Sequence, residues 1–380
     1  METVFLPGAT IGLLGGGQLG RMFAIAARRM GYRVHTLEPS PDSPAGQISD
    51  REFIGAFDDL ELIARFGDSV DVVTFEFENI PAGVVDFLSH RRVVRPRSEV
   101  LHICQNRERE KSFLLRNGYP VAQYSVISSQ SELVEKLERI AKPSVLKTAD
   151  FGYDGKGQRK IYPGDRIDAF ESNRAVLEEW IDLDREVSVI CARAVSGEMR
   201  CFPMAENVHT NHILDYSIVP ARCPAAVQEE ARAISMEIAE ELDVVGLIAV
   251  EFFLTKDHRL LVNELAPRPH NSGHYTFDAC ITSQFEQQLR AICGLPLGSP
   301  ELLRPTVMVN LLGDLWHAGP NWEKILSHPN TKLHLYGKVE ARPGRKMGHY
   351  CVLASSQQDA LALALQLKSE IADDPTSSSI

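Results

Sequence analysis

The segment Gly246–His274 reads GLIAVEFFLTKDHRLLVNELAPRPHNSGH and constrains the fold more than any other stretch of the chain. Two apolar, strand-like runs, Gly246–Leu254 and Leu260–Leu265, flank a short polar turn, which is the pattern of a β-hairpin. Each run carries one carboxylate, Glu251 and Glu264. A two-residue turn at Asp257-His258, with Lys256 opposite Arg259, sets Glu251 directly across from Glu264 on one face. Like charges that close repel, and burying them costs several kcal/mol unless a cation lies between them. Hard oxygen ligands that do not fill a coordination shell suit Mg²⁺ shared with nucleotide phosphates. A solvated hairpin edge is the plain alternative.

Composition narrows the class. The chain has 380 residues, 44% apolar and 24% charged, which fits a globular protein of two or three domains. A net charge of −11 argues against nucleic-acid binding, which needs a basic field. No apolar run reaches the ~18 residues of a membrane span, and METVFLPGATIG lacks the character of a signal peptide. The 7 cysteines contain no C-x-x-C pair, so reduced thiols in a cytoplasmic protein are expected.

Residues 10–100 alternate strand and helix signals: strands at Thr10–Leu14, Arg33–Leu37 and Val70–Phe75, helices at Gln18–Met30 and Pro81–Ser89. That βαβα order predicts a parallel sheet covered by helices. Residues 100–116 read as one charged helix, and Met199–Glu206 as one strand. GGGQLG at 15–20 follows the first strand, and Glu38 stands 18 residues past Gly20. Alone this matches a dinucleotide fingerprint, a tight turn, or a site for another phosphate ligand. FGYDGKGQ at 151–158, after Lys147, is a glycine-rich loop able to fold over phosphates. It is neither a Walker loop nor part of a protein-kinase motif set. LEEWI at 177–181 places Glu178 and Glu179 as acceptors at a strand edge, where they could read an adenine amino group. His209 and His212 in HTNH resemble half a metal site without a third ligand. ARPGRK at 341–346, with Lys338 before it, gathers cations on a turn as a phosphate or carboxylate clamp.

Taken in order, Lys147, the 152–158 loop, Glu251 and Asn263-Glu264 resemble the ATP-grasp ligases. GGGQLGRM, FEFENI (75–80), GYDGKGQ, ENVHTNHILDYSIVPA (206–221), NELAPRPHNSGHYT (263–276) and KVEARPGRKMGH (338–349) resemble one family among them, the N5-carboxyaminoimidazole ribonucleotide synthetases.

The resemblance implies an α/β chain: an ATP-grasp fold preceded by a Rossmann-like parallel-sheet domain and followed by a small mixed C-terminal domain. The boundaries expected are 1–104, 105–182 (small lobe with the glycine loop), 183–296 (central lobe with the metal site) and 297–380. It implies ATP as a substrate, contacted by Arg107, Lys147, Gly152, Tyr153, Asp154, Gly155, Lys156, Gly157, Gln158, Glu178, Glu179, Trp180, Ile181, Glu186, His209, Asn263 and Glu264. Glu251 and Glu264 would hold Mg²⁺. Aminoimidazole ribonucleotide would contact Gln18, Leu19, Glu76, Tyr153, Asp154, Arg268, His270 and Asn271, with its 5′-phosphate on Lys338, Arg345 and Lys346. Lys147, Asp154, Arg268 and Asn271 would serve the chemistry. Bicarbonate would be the third substrate, and a homodimer the working form. The resemblance replaces NAD in the first domain by a mononucleotide substrate. A formate-using glycinamide ribonucleotide ligase, a regulatory nucleotide-binding module and an NAD dehydrogenase are the rival readings.

Overall fold

A computed structural model of the chain describes residues 3–140, 143–150, 157–165, 174–317 and 319–372. The N-terminal part runs β1 (Thr10–Leu14), α1 (Gln18–Arg29), β2 (Arg33–Glu38), β3 (Arg51–Ile54), α2 (Leu60–Asp68), β4 (Val72–Phe75), α3 (Ala82–Ser89) and β5 (Val93–Val94). All pairings are parallel, in the order β3-β2-β1-β4-β5. β1 and β4 are buried on both faces, which explains their unbroken apolar runs. The order reverses between β1 and β4, so a crevice opens at the C-terminal ends of those two strands. β3 escapes a reading by pattern because REFI has only two apolar residues.

Residues 100–116 are not one helix. α4 (Ser98–Cys104) stops, and α5 (Arg107–Arg116) restarts after Asn106, whose side chain accepts from Arg109 N. That N-cap satisfies a donor a continuous helix would not leave open.

The next sheet holds β6 (Tyr124–Ile127), β7 (Ser144–Thr148), β8 (Gln158–Ile161) and β9 (Ala175–Glu179), with α6 (Gln130–Leu137) between β6 and β7. Its order is β6-β9-β7-β8, antiparallel throughout. β9 is therefore an interior strand, not the edge that LEEWI was expected to form.

The largest sheet contains β10 (Leu183–Arg193), β11 (Met199–Cys201), β12 (Ala205–Thr210), β13 (Ile213–Val219), β14 (Gly246–Thr255), β15 (Leu260–Ala266), β16 (Thr306–Leu312), β17 (Thr331–Leu335) and β18 (Lys346–Leu353). Its order is β15-β14-β10-β12-β13-β16-β18-β17, with β11 beside β10. The expected Met199–Glu206 strand is split in two at Phe202-Pro203-Met204, where proline offers no N–H to a ladder. β13 pairs with β16, so one sheet runs unbroken from the central strands into the C-terminal ones. Helices α7 (Ala225–Glu241), α8 (Thr276–Ala279), α9 (Gln284–Ile292), α10 (Trp322–Leu326) and α11 (Gln357–Glu370) complete the chain. Val187, Val189, Val250 and Phe252 of β10 and β14 pack beneath Ala231, Ile234 and Ile238 of α7. The opposite face of β10 and β14 carries Ser188 and Glu251, paired in register, and faces the cleft described below. Among the described residues no helix is long and apolar enough to cross a membrane.

The hairpin at Gly246–Ala266 forms, and Glu251 does pair with Glu264. The turn differs from expectation. Thr255 N donates to Arg259 O at 3.0 Å, so the loop is Lys256-Asp257-His258, with His258 at φ 62°. A left-handed third residue is what a three-residue hairpin loop uses. On its own this register would place Glu251 opposite Asn263. A bulge between Glu251/Phe252 and Glu264/Val262 adds one residue on β15 and restores the Glu251–Glu264 pairing. The bulge also turns both Asn263 and Glu264 into the cleft, which a regular strand cannot do with consecutive residues.

Candidate active site

The three sheets meet around one cleft of about 890 Å³. Its floor is the Glu251–Glu264 pair. His270 Nε2 lies 2.9 Å from Glu251 Oε1, and Arg107 NH1 lies 3.3 Å from Glu264 Oε2. Burial pushes the Glu251 carboxyl up, but the His270 ring, with His209 and Lys346 farther off, outweighs it and holds the group down at about 2. Glu251 is thus ionised at neutral pH. Asn263 Oδ1 beside it is buried without a hydrogen-bond partner. Among the described residues no cluster of three or more His, Cys, Asp or Glu side chains could hold a metal alone. Two carboxylates and one unpartnered amide oxygen fit a hard divalent ion whose remaining ligands come from a phosphate or water.

The crevice side of the cleft is the glycine turn before α1. Gly15 adopts φ 97°, and Gly17 begins α1 as its N-cap. Glu76, at the end of β4, lays its carboxylate on that helix start: Oε1 accepts from Gly17 N at 2.7 Å and Oε2 from Gly20 N at 2.9 Å. A Cβ on Gly17 would stand 2.4 Å from Glu76 Oε1, so glycine is what allows the approach. Burial raises the Glu76 carboxyl, and those two N–H donors oppose the rise. Glu38 Oε2 accepts from Gly16 N at 2.8 Å. Glu38, the acid that a dinucleotide fingerprint would leave for a ribose, is engaged with the turn itself. The N–H groups that would cradle a pyrophosphate already hold Glu76, so the NAD reading fails on geometry.

The opposite wall comes from β7 and β9. Lys147 Nζ is 2.8 Å from Glu178 Oε2, and Lys111 Nζ is 3.7 Å from Glu178 Oε1. Burial would raise the Glu178 carboxyl, but the two ammonium groups hold it at about 2. Glu178 is therefore a buried counter-ion, 2% exposed, rather than an open strand-edge acceptor. Trp180 is 42% exposed, with Lys160 Nζ 3.3 Å from its ring centroid, a cation–π contact at the cleft rim.

Arg268 forms an ion pair with Glu78, joining the β15 side to the N-terminal part across the cleft. Burial opposes ionisation of Glu78, and Arg268 overrides it and lowers the carboxyl. His209 Nδ1 lies 3.1 Å from Glu186 Oε2; burial lowers the ring and Glu186 reverses this, leaving it raised. His212 and Asn211 have φ 65° and 51°, so they are the two-residue turn between β12 and β13, and both line the cleft.

Of the residues singled out from sequence, Gln18, Leu19, Glu76, Arg107, Lys147, Gln158, Glu178, Glu179, Trp180, Ile181, Glu186, His209, Glu251, Asn263, Glu264, Arg268, His270, Asn271 and Lys346 line this one cleft. Gly157 (φ 72°) is not a lining residue, and its carbonyl accepts from Thr148 N. Lys338 and Arg345 are not lining residues. Lys338 Nζ donates to Lys346 O at 2.7 Å, and Arg345 NH1 donates to Glu340 O at 2.8 Å. Gly152, Tyr153, Asp154, Gly155 and Lys156 lie outside the described residues.

Sequence reasoning missed Phe77, Glu78, Asn79 and Phe253 in the lining. It also missed Glu110 and Lys111 beneath it. Glu110 is pushed up to about 8 by burial and then by the Glu264 charge, and it accepts from Leu265 N. Arg107, Glu110 and Lys111 stand at i, i+3 and i+4 on α5, one face of a helix, and all three are buried. That spacing was the readable signal: the charged face of α5 is its inward face.

Comparisons with known proteins agree with this geometry. A model of the ribonucleotide synthetase preATP-grasp domain matches residues 8–105, the ATP-grasp domain matches 112–285, and the phosphoribosylaminoimidazole carboxylase C-terminal domain matches 306–363. The N5-carboxyaminoimidazole ribonucleotide synthase of Bacillus subtilis is 46% identical over 362 residues, covering 94% of this chain and 95% of its own. That of Brucella melitensis is 44% identical, covering 92% and 97%. A crystal structure of an N5-carboxyaminoimidazole ribonucleotide synthetase with ADP superposes with a TM-score of 0.91 at 44% identity, covering 98% of this chain and 100% of that one. The Aspergillus clavatus enzyme in complex with ADP and 5-aminoimidazole ribonucleotide gives 0.88 at 31% identity, covering 96% and 98%. The chain belongs to the N5-carboxyaminoimidazole ribonucleotide synthetase family of ATP-grasp ligases.

Proposed function

We propose that the protein couples ATP cleavage to carboxylation of the N5 amine of 5-aminoimidazole ribonucleotide by bicarbonate, in de novo purine biosynthesis. The observation that carries this reading is the paired Glu251 and Glu264 in a cleft that also contains Lys147, Arg107 and the glycine turn of the first domain.

Bicarbonate is a poor electrophile. Its oxygen attacks the γ-phosphorus of ATP, the β–γ bridge bond breaks, and ADP leaves carboxyphosphate behind. The N5 lone pair then attacks the carboxyl carbon, or CO₂ set free from it inside the closed site. The C–O bond to phosphate breaks, phosphate departs, and the amine proton passes to a base. Asp154 is our candidate for that base.

Arg107 and Lys147 offset charge on the transferring phosphoryl group. When bound between Glu251 and Glu264, Mg²⁺ would neutralise phosphate charge, with Asn263 beside it. Glu178, Glu179, Trp180 and Ile181 border the adenine, and Glu186 takes the ribose with His209 close by. In this reading the 152–158 segment serves the phosphates and keeps water from carboxyphosphate. Gln18, Leu19, Glu76, Arg268, His270 and Asn271 receive the ribonucleotide, and Tyr153 and Asp154 are assigned to it as well. Lys346 binds its 5′-phosphate, with Lys338 and Arg345 adding positive charge from outside the lining. Units 1–104, 105–182, 183–296 and 297–380 divide these tasks, in a cytoplasmic homodimer.

Coupled detection of ADP tests the reading. ADP release is expected to need both aminoimidazole ribonucleotide and bicarbonate. Equal release with glycinamide ribonucleotide and formate would move the protein to another acyl donor.

A further inference from the structure

His270 Nε2 meets Glu251 Oε1 at 2.9 Å, and the other ring nitrogen begins a buried chain of hydrogen bonds. His270 Nδ1 is 2.9 Å from Ser272 Oγ. Ser188 Oγ donates to Ser272 Oγ at 2.8 Å, Asn207 Nδ2 donates to Ser188 Oγ at 2.9 Å, and Ser217 Oγ donates to Asn207 Oδ1 at 2.8 Å. Ser188, Asn207, Ser217 and Ser272 are each under a tenth exposed, and none lines the cleft. In so dry a setting a hydroxyl turned the wrong way leaves an unpaired group, so the direction of the chain matters.

That direction follows from the donors. Asn207 Oδ1 accepts from Ser217, so its NH₂ faces Ser188. Ser188 then gives its proton to Ser272, and Ser272 has its own proton left for His270 Nδ1. The Ser272 backbone N–H, a donor that cannot reverse, also points at Nδ1 at 3.4 Å. Two donors converge on Nδ1, which must therefore offer a lone pair, and the ring proton sits on Nε2.

We propose that Asn207, Ser188 and Ser272 are positioning residues that hold His270 as its Nε2–H tautomer. His270 thereby donates to Glu251 Oε1 and leaves the second carboxylate oxygen to the cleft. The consequence for the metal rests on the function proposed above; the tautomer does not. A hydrogen-bonded outer partner of this kind orients a ligand and tunes it.

The test is ¹⁵N NMR of histidine-labelled, ligand-free protein at pH 8, with the His270 signal assigned by its loss in His270→Asn. Wild type is expected to show protonated Nε2 and unprotonated Nδ1. Asn207→Asp replaces the donor by an acceptor, so Ser188 turns towards it, Ser272 turns towards Ser188, and Nδ1 takes up a proton. In Asn207→Asp with Ser188→Ala the relay is cut and the wild-type signal returns. A purely Coulombic effect of the new carboxylate would persist in the double variant and would overturn the relay. A wild-type ring protonated at Nδ1 would overturn it outright. Ser272→Ala adds no charge and serves if the aspartate variant does not fold: only the longer backbone N–H contact then still faces Nδ1, so a minor Nδ1–H population is expected beside Nε2–H, and a signal identical to wild type would refute the assignment. Calorimetry with Mg²⁺ and ADP separates the two claims. Ser272→Ala is expected to bind at least about tenfold more weakly. An altered tautomer with unchanged Mg²⁺–ADP affinity would keep the relay and remove Glu251 from the metal site.

Discussion

Glu178→Gln should weaken the ligand-free protein by several kcal/mol. Glu178 is 2% exposed and lies between Lys147 at 2.8 Å and Lys111 at 3.7 Å. Its carboxyl is held at about 2, against an ordinary 4.5. At ~1.4 kcal/mol per pH unit, that difference is worth about 3–4 kcal/mol of folding free energy. Removing one member of a buried ionic group leaves charge uncompensated at a similar cost of about 3–5 kcal/mol. The sign fixes the pH window. A depressed carboxyl contributes fully above about pH 4.5 and loses its contribution as pH falls towards 2. Urea unfolding of wild type and variant at pH 7, 5 and 3 is the assay. The gap should be about 3–4 kcal/mol at pH 7 and shrink by pH 3. Adding Lys111→Met should recover part of it. A gap under about 1 kcal/mol, or one indifferent to pH, would show that these charges are solvated and that the wall is not the buried ionic group described.

Glu264→Gln should abolish ATP turnover while the variant still folds, as circular dichroism would show; normal turnover with normal metal dependence would remove Glu264 from the metal site. Lys346→Ala should raise KM for the ribonucleotide about 10–100-fold with kcat nearly kept, since a charged hydrogen bond is worth about 1.5–3 kcal/mol. Arg345→Ala should do less, because only Lys346 of the two lines the cleft; steady-state kinetics with both variants decides the order. His274 and His349 are fully buried and kept neutral, first by burial and then by their neighbouring histidines. Depressed histidines favour the unfolded chain below pH ~6.5, so stability should fall by up to about 1.4 kcal/mol per ring per pH unit there. His274→Phe should reduce that slope in urea titrations at pH 7, 6 and 5.

Much of the site was legible because it is written in short segments with a physical signature. The apolar runs around Glu251 and Glu264 predict the hairpin. The pairing came out right although the turn did not: a left-handed His258 lengthens the loop and a bulge at Asn263 compensates. Neither device has a pattern in the apolar residues, so neither could be read. The glycine turn was visible, but its occupant was not, since Glu76 arrives from a strand some sixty residues later. LEEWI looked like an edge because strand order is a long-range property; β9 is interior by pairing with both β6 and β7. Glu110 and Lys111 on the charged face of α5 were passed over because charge ordinarily marks the solvent side of a helix. Here Arg107, Glu110 and Lys111 turn inward to meet Glu264 and Glu178.

Under the proposed function, bicarbonate itself is phosphorylated in this cleft. Bicarbonate labelled with heavy oxygen, incubated with the protein, ATP and aminoimidazole ribonucleotide, tests it by mass spectrometry of the released phosphate. Attack by a bicarbonate oxygen on phosphorus predicts one labelled oxygen in each phosphate. Phosphate carrying no label would contradict the account.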